Sequence, residues 1–359
     1  MTNVFNLPTK EQFDVQNAIL AGIASNLGGI QVESWKDVQR ITRMGLASKI
    51  FTEGDQFITK FDEEPVVWNI IGIDKDKPSD PRFEHSITIQ SQDCLMNCQF
   101  SAEQALYYAE EGLPAGEHVF TQDDTGERWK ITTTLPVPEG GQLFLPTWNE
   151  EPYYPLKART YAEDRITVIE DNIDVESTED EETLSETNVR HRIMYGSNNY
   201  IESAIRQFLN SDAETFEWEP QTNYDRPSTG VPYTGSGFLK LLDPELAEVL
   251  GAVDKQVARN TVTDEGGQDL FSDKVFLLSR VEVGLGTEGT TTGESVYPYY
   301  EGIGNTGRIK LLGLSPRYWR LRSPYVSGAT GVRYVLTSGA LNTYRARNAF
   351  GLAPACTIV

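Results

Sequence analysis

No aspartate or glutamate follows Glu301, in a chain of 359 residues that holds 53 of them. The same closing stretch carries Arg308, Lys310, Arg317, Arg320, Arg322, Arg333, Arg345 and Arg347, leaving 23 basic residues to face all the acidic ones upstream. Between Arg317-Tyr318-Trp319-Arg320-Leu321-Arg322-Ser323-Pro324 and Gly351-Leu352-Ala353-Pro354-Ala355-Cys356, the residues Tyr325 to Phe350 are almost wholly Tyr, Arg, Ser, Thr, Gly, Ala, Asn and a few aliphatics. Such text closes the chain with strands and turns. Rigid amphipathic anchors among small, adaptable hydrogen-bonding residues have the chemistry of a binding surface. The competing reading is a Gly-rich terminal hairpin whose tyrosines fill a core.

The rest of the composition narrows the classes. With 39% hydrophobic residues the chain can bury a sizeable core, and its length allows one large domain or two to three ordinary ones. A net charge of −22 argues against bulk binding to nucleic acid or to an anionic membrane. No apolar run approaches the roughly 18 residues that span a bilayer. The N-terminus, Met1 to Pro8, lacks the basic and apolar regions of a signal peptide, so synthesis in the cytoplasm is expected. Cys94, Cys98 and Cys356 are too few for a disulfide framework, and two thiols without nearby histidines are a poor metal site. Asp74-Lys75-Asp76 with Asp80 lacks the Gly and terminal Glu of a calcium loop and reads as a solvated turn. His85, His118 and His191 stand apart with no partner motif, so no catalytic residue, metal or cofactor is expected.

In chain order, Thr9 to Gln12 has capping-box form ahead of a helix, and a second helix starts at Ser34 with Asp37 three residues on. Trp35, Val38 and Ile41 make its apolar face and Gly45 ends it. Residues 1–50 thus read as a helical docking or oligomerisation segment. Phe57 to Ile73 reads as a hairpin, and 94–111 as a helix through Ala102, Ala105, Leu106 and Ala109. A β-rich insert is expected over about 112–190, ending in the acidic run Glu170 to Glu186, read as an exposed loop. A helix is expected from an Asn199 cap through Leu209, and another from an Asp243 cap with Pro244 in the first turn. Helices and strands are interspersed, which predicts an α+β fold over 51–359.

Four stretches occur together in one order: Gly196-Ser197-Asn198-Asn199-Tyr200-Ile201-Glu202-Ser203-Ala204-Ile205-Arg206-Gln207-Phe208-Leu209-Asn210, then Asp273 to Ser279, Tyr318 to Pro324, and Gly351 to Ala355. They resemble the C-type lectin-like domains of the formylglycine-generating-enzyme branch. The tail is similar to the variable proteins of diversity-generating retroelements. That resemblance implies a C-type lectin-like fold with an inserted β-rich lobe, and a variable ligand-binding region at about 317–350. Adenine-directed variation of Asn codons yields no Lys, Glu, Gln, Met or Trp, and Tyr325 to Phe350 contains none of these. The resemblance places the variable surface at Arg320, Tyr325, Gly328, Thr330, Gly331, Leu336, Thr343, Tyr344, Arg345, Arg347 and Phe350, with Tyr334 and Asn342 as additions. Trp319, Leu321, Arg322, Val332, Val335, Gly339 and Ala340 are the expected framework.

The function so implied is a phage host-attachment protein of the virion tail. Its partners would be a host cell-surface protein or glycan receptor and other tail proteins, in a homo-oligomer with a trimer favoured. A bacterial surface adhesin and a structural virion protein without a varied surface are the alternatives. An enzyme of the formylglycine-generating type would need a copper-holding pair of cysteines near the C-terminal end, where only Cys356 lies.

Overall fold

Two antiparallel strands stand at the heart of the main sheet, Gln56–Phe61 (β2) and Glu64–Ile73 (β3). The residues between them, Asp62 and Glu63, both have positive φ (48° and 64°), which a two-residue turn matched to the strand twist requires. The computed structural model describes residues 4–6, 32–101, 105–121, 128–144, 157–164, 167–177, 195–214, 236–289 and 291–359. Within it, β2 and β3 belong to a six-stranded sheet with Val4–Asn6 (β1), Ile87–Ser91 (β4), Ala355–Ile358 (β21) and Val275–Phe276 (β14), in the order β1-β2-β3-β4-β21-β14. β1 runs parallel to β2 and every other pairing is antiparallel. The last strand of the chain therefore lies inside this sheet.

Ser34 caps Trp35–Arg43 (α1), its Oγ accepting from the Asp37 N–H at 3.2 Å. Trp35, Val38 and Ile41 are fully buried, with the Trp35 ring 4.9 Å from Phe57. On its outer side, Gln39 Nε2 and Arg43 Nε donate to the Val359 carbonyl at 2.8 and 3.1 Å. Residues 32–50, with the short helix Ala47–Ile50 (α2), share one core with β2, β3, β4 and β21, so this part of the expected docking segment is built into the main body. The capping-box helix expected from Thr9 lies outside the described residues.

A second six-stranded antiparallel sheet has its own small core of Ile131, Leu143, Ala158, Ile173 and Tyr195. Its strands are Ala105–Tyr108 (β6), Gly116–Thr121 (β7), Arg128–Thr133 (β8), Gln142–Phe144 (β9), Lys157–Tyr161 (β10) and Val168–Ser177 (β11), in the order β6-β9-β10-β11-β8-β7. The acidic run begins inside β11, and its remainder lies outside the described residues. The third sheet, of five strands, is formed by Met96–Cys98 (β5), Trp319–Pro324 (β17), Gly331–Val335 (β18), Leu341–Arg345 (β19) and Phe350–Leu352 (β20), in the order β19-β18-β17-β20-β5. Among the described residues two ribbons complete the β structure: Val253–Ala258 (β12) with Gln268–Asp273 (β13), and Lys310–Leu312 (β15) with Ser315–Arg317 (β16). Three further short helices are Ala204–Leu209 (α3), Phe238–Leu241 (α4) and Pro244–Val249 (α5).

Among the described residues the structure is thus β-rich, with 38% strand against 14% helix, and the expected α+β, C-type lectin-like class does not hold. The physical reasons are local. Residues 94–111, whose alanine spacing predicts a helix, instead supply β5 and β6, because β20 and β9 offer each of them a ladder. The helix expected from Asn199 starts only at Ala204. Asn199 Oδ1 accepts from the Ile201 N–H in a local turn, and Ser203 Oγ becomes the cap, accepting from Arg206 N–H at 3.3 Å. Asp243 does cap α5 with Pro244 in its first turn, as its punctuation predicts.

Candidate functional site

The C-terminal sheet has one face in the core. Trp319, Leu321 and Val335 are fully buried, and Trp319 Nε1 donates to the Arg308 carbonyl at 2.9 Å. β17 runs antiparallel to β18 and parallel to β20. Gly351 of β20 can have no side chain, since a Cβ there would lie 2.4 Å from Cys94 Sγ and 2.8 Å from the Tyr318 carbonyl. That close approach draws β5, β17 and β20 together.

On the other face, Arg320 stands opposite Tyr334. Tyr318, Tyr334, Tyr344 and Phe350 form a cluster around Phe350, with ring centroids 5.5 Å (Tyr318), 4.6 Å (Tyr334) and 5.9 Å (Tyr344) from it. Beneath them the Arg320 guanidinium lies 4.2 Å from the Phe350 centroid. It donates to the carbonyls of Arg345 (2.7 Å), Asn348 (2.9 Å), Tyr344 (3.3 Å) and Val332 (3.4 Å). No carboxylate faces it among the described residues, its Nε is unpaired, and burial lowers its pKa to about 9. Desolvation also raises the Tyr334 hydroxyl's pKa, with Tyr318 adding to the effect.

Arg322, two residues on, is buried as a paired charge. It donates to both oxygens of Glu282 (2.5 and 2.9 Å), to Glu294 (2.6 Å) and to the Leu277 carbonyl (2.8 Å). Lys255 joins the same carboxylate at 2.5 Å and reaches Asp76 at 2.8 Å, where the Tyr297 hydroxyl also donates (2.6 Å). Burial alone would raise the Glu282 pKa, but Arg322 and Lys255 hold it down to about 2. This network ties β17 to β12 and to the loop that follows β14.

The turn between β17 and β18 is pinned from outside the tail. Asn198 Nδ2 donates to the carbonyls of Gly328 (2.6 Å), Gly331 (3.0 Å) and Tyr325 (3.2 Å), and its Oδ1 accepts from Asn260 Nδ2 at 2.9 Å. At its edge, Glu288 accepts from Arg280 (2.6 Å) and from Arg333, which also donates to Thr343. Burial would raise the Glu288 pKa, yet these two guanidiniums keep it low. Arg333 stacks over the Tyr325 ring at 4.9 Å, and Arg345 over Tyr195 at 3.6 Å.

The thirteen expected surface residues therefore divide. Tyr325 and Tyr344 are exposed, at 39% and 49%. Leu336, Thr343, Arg345, Arg347, Phe350 and Gly331 are half-buried along β18, β19 and β20 or their turns. Arg320, Gly328, Thr330 and Tyr334 are buried and are corrected to framework: Arg320 is clamped by four carbonyls, Gly328 and Thr330 sit in the turn held by Asn198, and Tyr334 packs under Phe350. Asn342 is exposed. Tyr318, 38% exposed at the edge of the aromatic cluster, belongs to the face although the sequence reading left it out. Asn198 and Asn260 were also missed as supports; Asn198 lies in the recognisable Gly196–Asn210 stretch, whereas Asn260 carries no signal of its own.

Of the histidines, His85 Nδ1 lies 3.1 Å from Asp74 and His118 Nε2 lies 2.7 Å from the Pro114 carbonyl, while His191 is outside the described residues. Among the described residues no three His, Cys, Asp or Glu side chains gather into a metal-holding group, and no helix is long and apolar enough to cross a membrane. No curated protein and no solved structure matches the chain. The whole candidate face falls within residues 163–359, which match the family described as Domain of unknown function (DUF6273); these are more than half of the chain, and it belongs to that family.

Proposed function

We propose that the chain is a receptor-binding protein that presents the outer face and rim of its C-terminal sheet to a partner. The carrying observation is the contrast within that sheet. Tyr318, Tyr325 and Tyr344 hold their rings partly in water, while the backbone beneath them is fixed by bonds from Arg320 and Asn198, and β17 is tied to the core by the Arg322–Glu282 pair. Tyrosines of this kind supply contact area at small entropic cost, and single anchors contribute about 2 kcal/mol or more to an interface. In this reading the chain binds rather than catalyses. It acts as a phage host-attachment protein in an oligomeric tail assembly, and its ligand is a host-surface protein or glycan. The exposed and half-buried members of the expected set, Tyr325, Gly331, Leu336, Asn342, Thr343, Tyr344, Arg345, Arg347 and Phe350, are those varied by a retroelement.

Two measurements test the reading. Tyr325→Ala with Tyr344→Ala should leave the melting temperature within a few degrees of the parent and abolish adsorption of the parent particle to its host. Retained adsorption would refute the role of this face. Separately, the DNA beside the gene should hold a near-copy of the 3′ end next to a reverse-transcriptase gene. Its absence removes the diversification but leaves the binding role to the first test.

A further inference from the structure

A groove of about 760 Å³ opens between the start of β3, the segment leading into β5, and α3 and α4. Phe61, Val66, Met96, Phe208 and Leu241 make its wall apolar, and Leu312 and Gly313 of the β15–β16 hairpin border it. The tip of that hairpin projects Leu314 with 98% of its surface in water. Three carboxylates belong to the groove: Asp62 and Glu64, both exposed on the β2–β3 turn, and Asp93. Asp93 accepts the Leu311 N–H at 2.8 Å, which fixes its position. No lysine, arginine or histidine is among the described residues that line the groove. An apolar trough whose described charged residues are all acidic complements a segment that brings apolar side chains and cations together.

Its position in the fold separates it from Tyr344, the far end of the aromatic face, while Phe350 pairs with Cys98 of β5 at the near end. Met96 lies in β5, one edge of the five-stranded sheet, and Tyr344 lies in β19, the other edge. Four strand spacings put the two edges roughly 19 Å apart. A partner seated at one edge leaves the other accessible.

We infer that this groove docks a basic, apolar-anchored segment of a partner protein, with Asp62, Glu64 and Asp93 meeting its lysines or arginines and the Phe61–Met96–Phe208 wall receiving its apolar side chain. The inference stands independently of what the Tyr344 face binds.

The probe is a short amphipathic peptide of leucine and lysine, compared with the same peptide bearing glutamate for lysine. A chain with 53 acidic residues attracts any polycation, so the readout must be local. With methyl-labelled methionine in the full chain, the lysine peptide should shift the Met96 signal and leave that of Met44, an exposed residue on the turn after α1, in place. The glutamate peptide should shift neither. Asp62→Asn with Glu64→Lys tests the carboxylates, since Asn tolerates the positive φ at position 62. Affinity for the lysine peptide should fall about tenfold in this variant. Tyr344→Ala should leave the peptide's affinity unchanged, which keeps this result separate from the receptor-binding reading. No shift at Met96, equal effects of the two peptides, or undiminished affinity in the double variant would each overturn the assignment.

Discussion

Arg320→Met is the substitution that most sharply separates framework from display. The fully buried guanidinium makes two short, charge-assisted bonds, to the carbonyls of Arg345 and Asn348 at 2.7 and 2.9 Å. Bonds of that kind contribute about 1.5–3 kcal/mol each. The consequences differ by acceptor. The Ala346 N–Thr330 O and Leu336 N–Ala340 O bonds set the parity of the β18–β19 ladder, so Val332 and Tyr344 keep cross-strand donors. The Arg345 carbonyl keeps the Asn348 N–H at 3.2 Å. The Asn348 carbonyl loses the Arg320 donor that holds it. Removing a buried cation that has no carboxylate partner, and burying a thioether chain in its place, offsets part of the loss. The net expectation is a destabilisation of about 2–4 kcal/mol. Tyr344→Ala, at a half-exposed ring, should cost about 0.5 kcal/mol or less. Equilibrium urea unfolding followed by tryptophan fluorescence measures both. An Arg320→Met midpoint equal to that of the parent would refute the clamp and return Arg320 to the displayed set.

Two further perturbations test the body that carries the face. Lys310 is buried, donates to the carbonyls of Ser91 and Gln92, and is lowered by desolvation from 10.5 to about 8. Between those pH values the unfolded chain binds the additional proton, so stability should rise with pH, by about 3 kcal/mol across the window. Lys310→Met should lose that rise in unfolding midpoints measured from pH 7.5 to 10.5, and an unchanged slope would mean that Lys310 is not the titrating group. Gly339 has φ +80° and a Cβ there would sit 1.7 Å from the Asn305 carbonyl, so Gly339→Ala should destabilise by about 2–3 kcal/mol in the same assay. A neutral effect would mean that the β18–β19 turn shifts freely.

What could be read in advance was what depends on neighbours in the chain. Ser34 with Asp37, and Asp243 with Pro244, announce helices because the cap and the capped amide are three residues apart or fewer. Only the resemblance places Arg322 in the framework, and the fate of Arg320 was not legible, because it depends on pairing. Arg320 and Arg322 are two apart on one strand and would share a face on a regular pleat. The ladder between β17 and β18 shifts register between Arg320 and Pro324, so one arginine lies under Phe350 while the other meets Glu282. The carboxylates that pair Arg322, Glu282 and Glu294, are forty and twenty-eight residues upstream, and no local pattern joins them to it. The spacing at 94–111 misled for a related reason: alanines at helical intervals also suit short strands when β9 and β20 stand ready to pair.

The placement of the supports bears on how much change the face could absorb. Asn198, Asn260, Glu282 and Glu288 all precede Glu301, yet they hold the turn, the strand and the edge that carry Tyr325, Arg322 and Arg333. A tail whose backbone is held from elsewhere in the chain can exchange exposed side chains without giving up the bonds that position it. Domains of ordinary stability have about 5–15 kcal/mol in reserve. Exchanges at the few exposed positions, within about ±0.5 kcal/mol each and partly cancelling, stay inside that reserve, whereas losing two buried supports at about 2–4 kcal/mol each consumes most of it. Tolerance at Tyr344 with intolerance at Arg320 and Asn198 is the pattern such energetics impose, whatever the ligand proves to be.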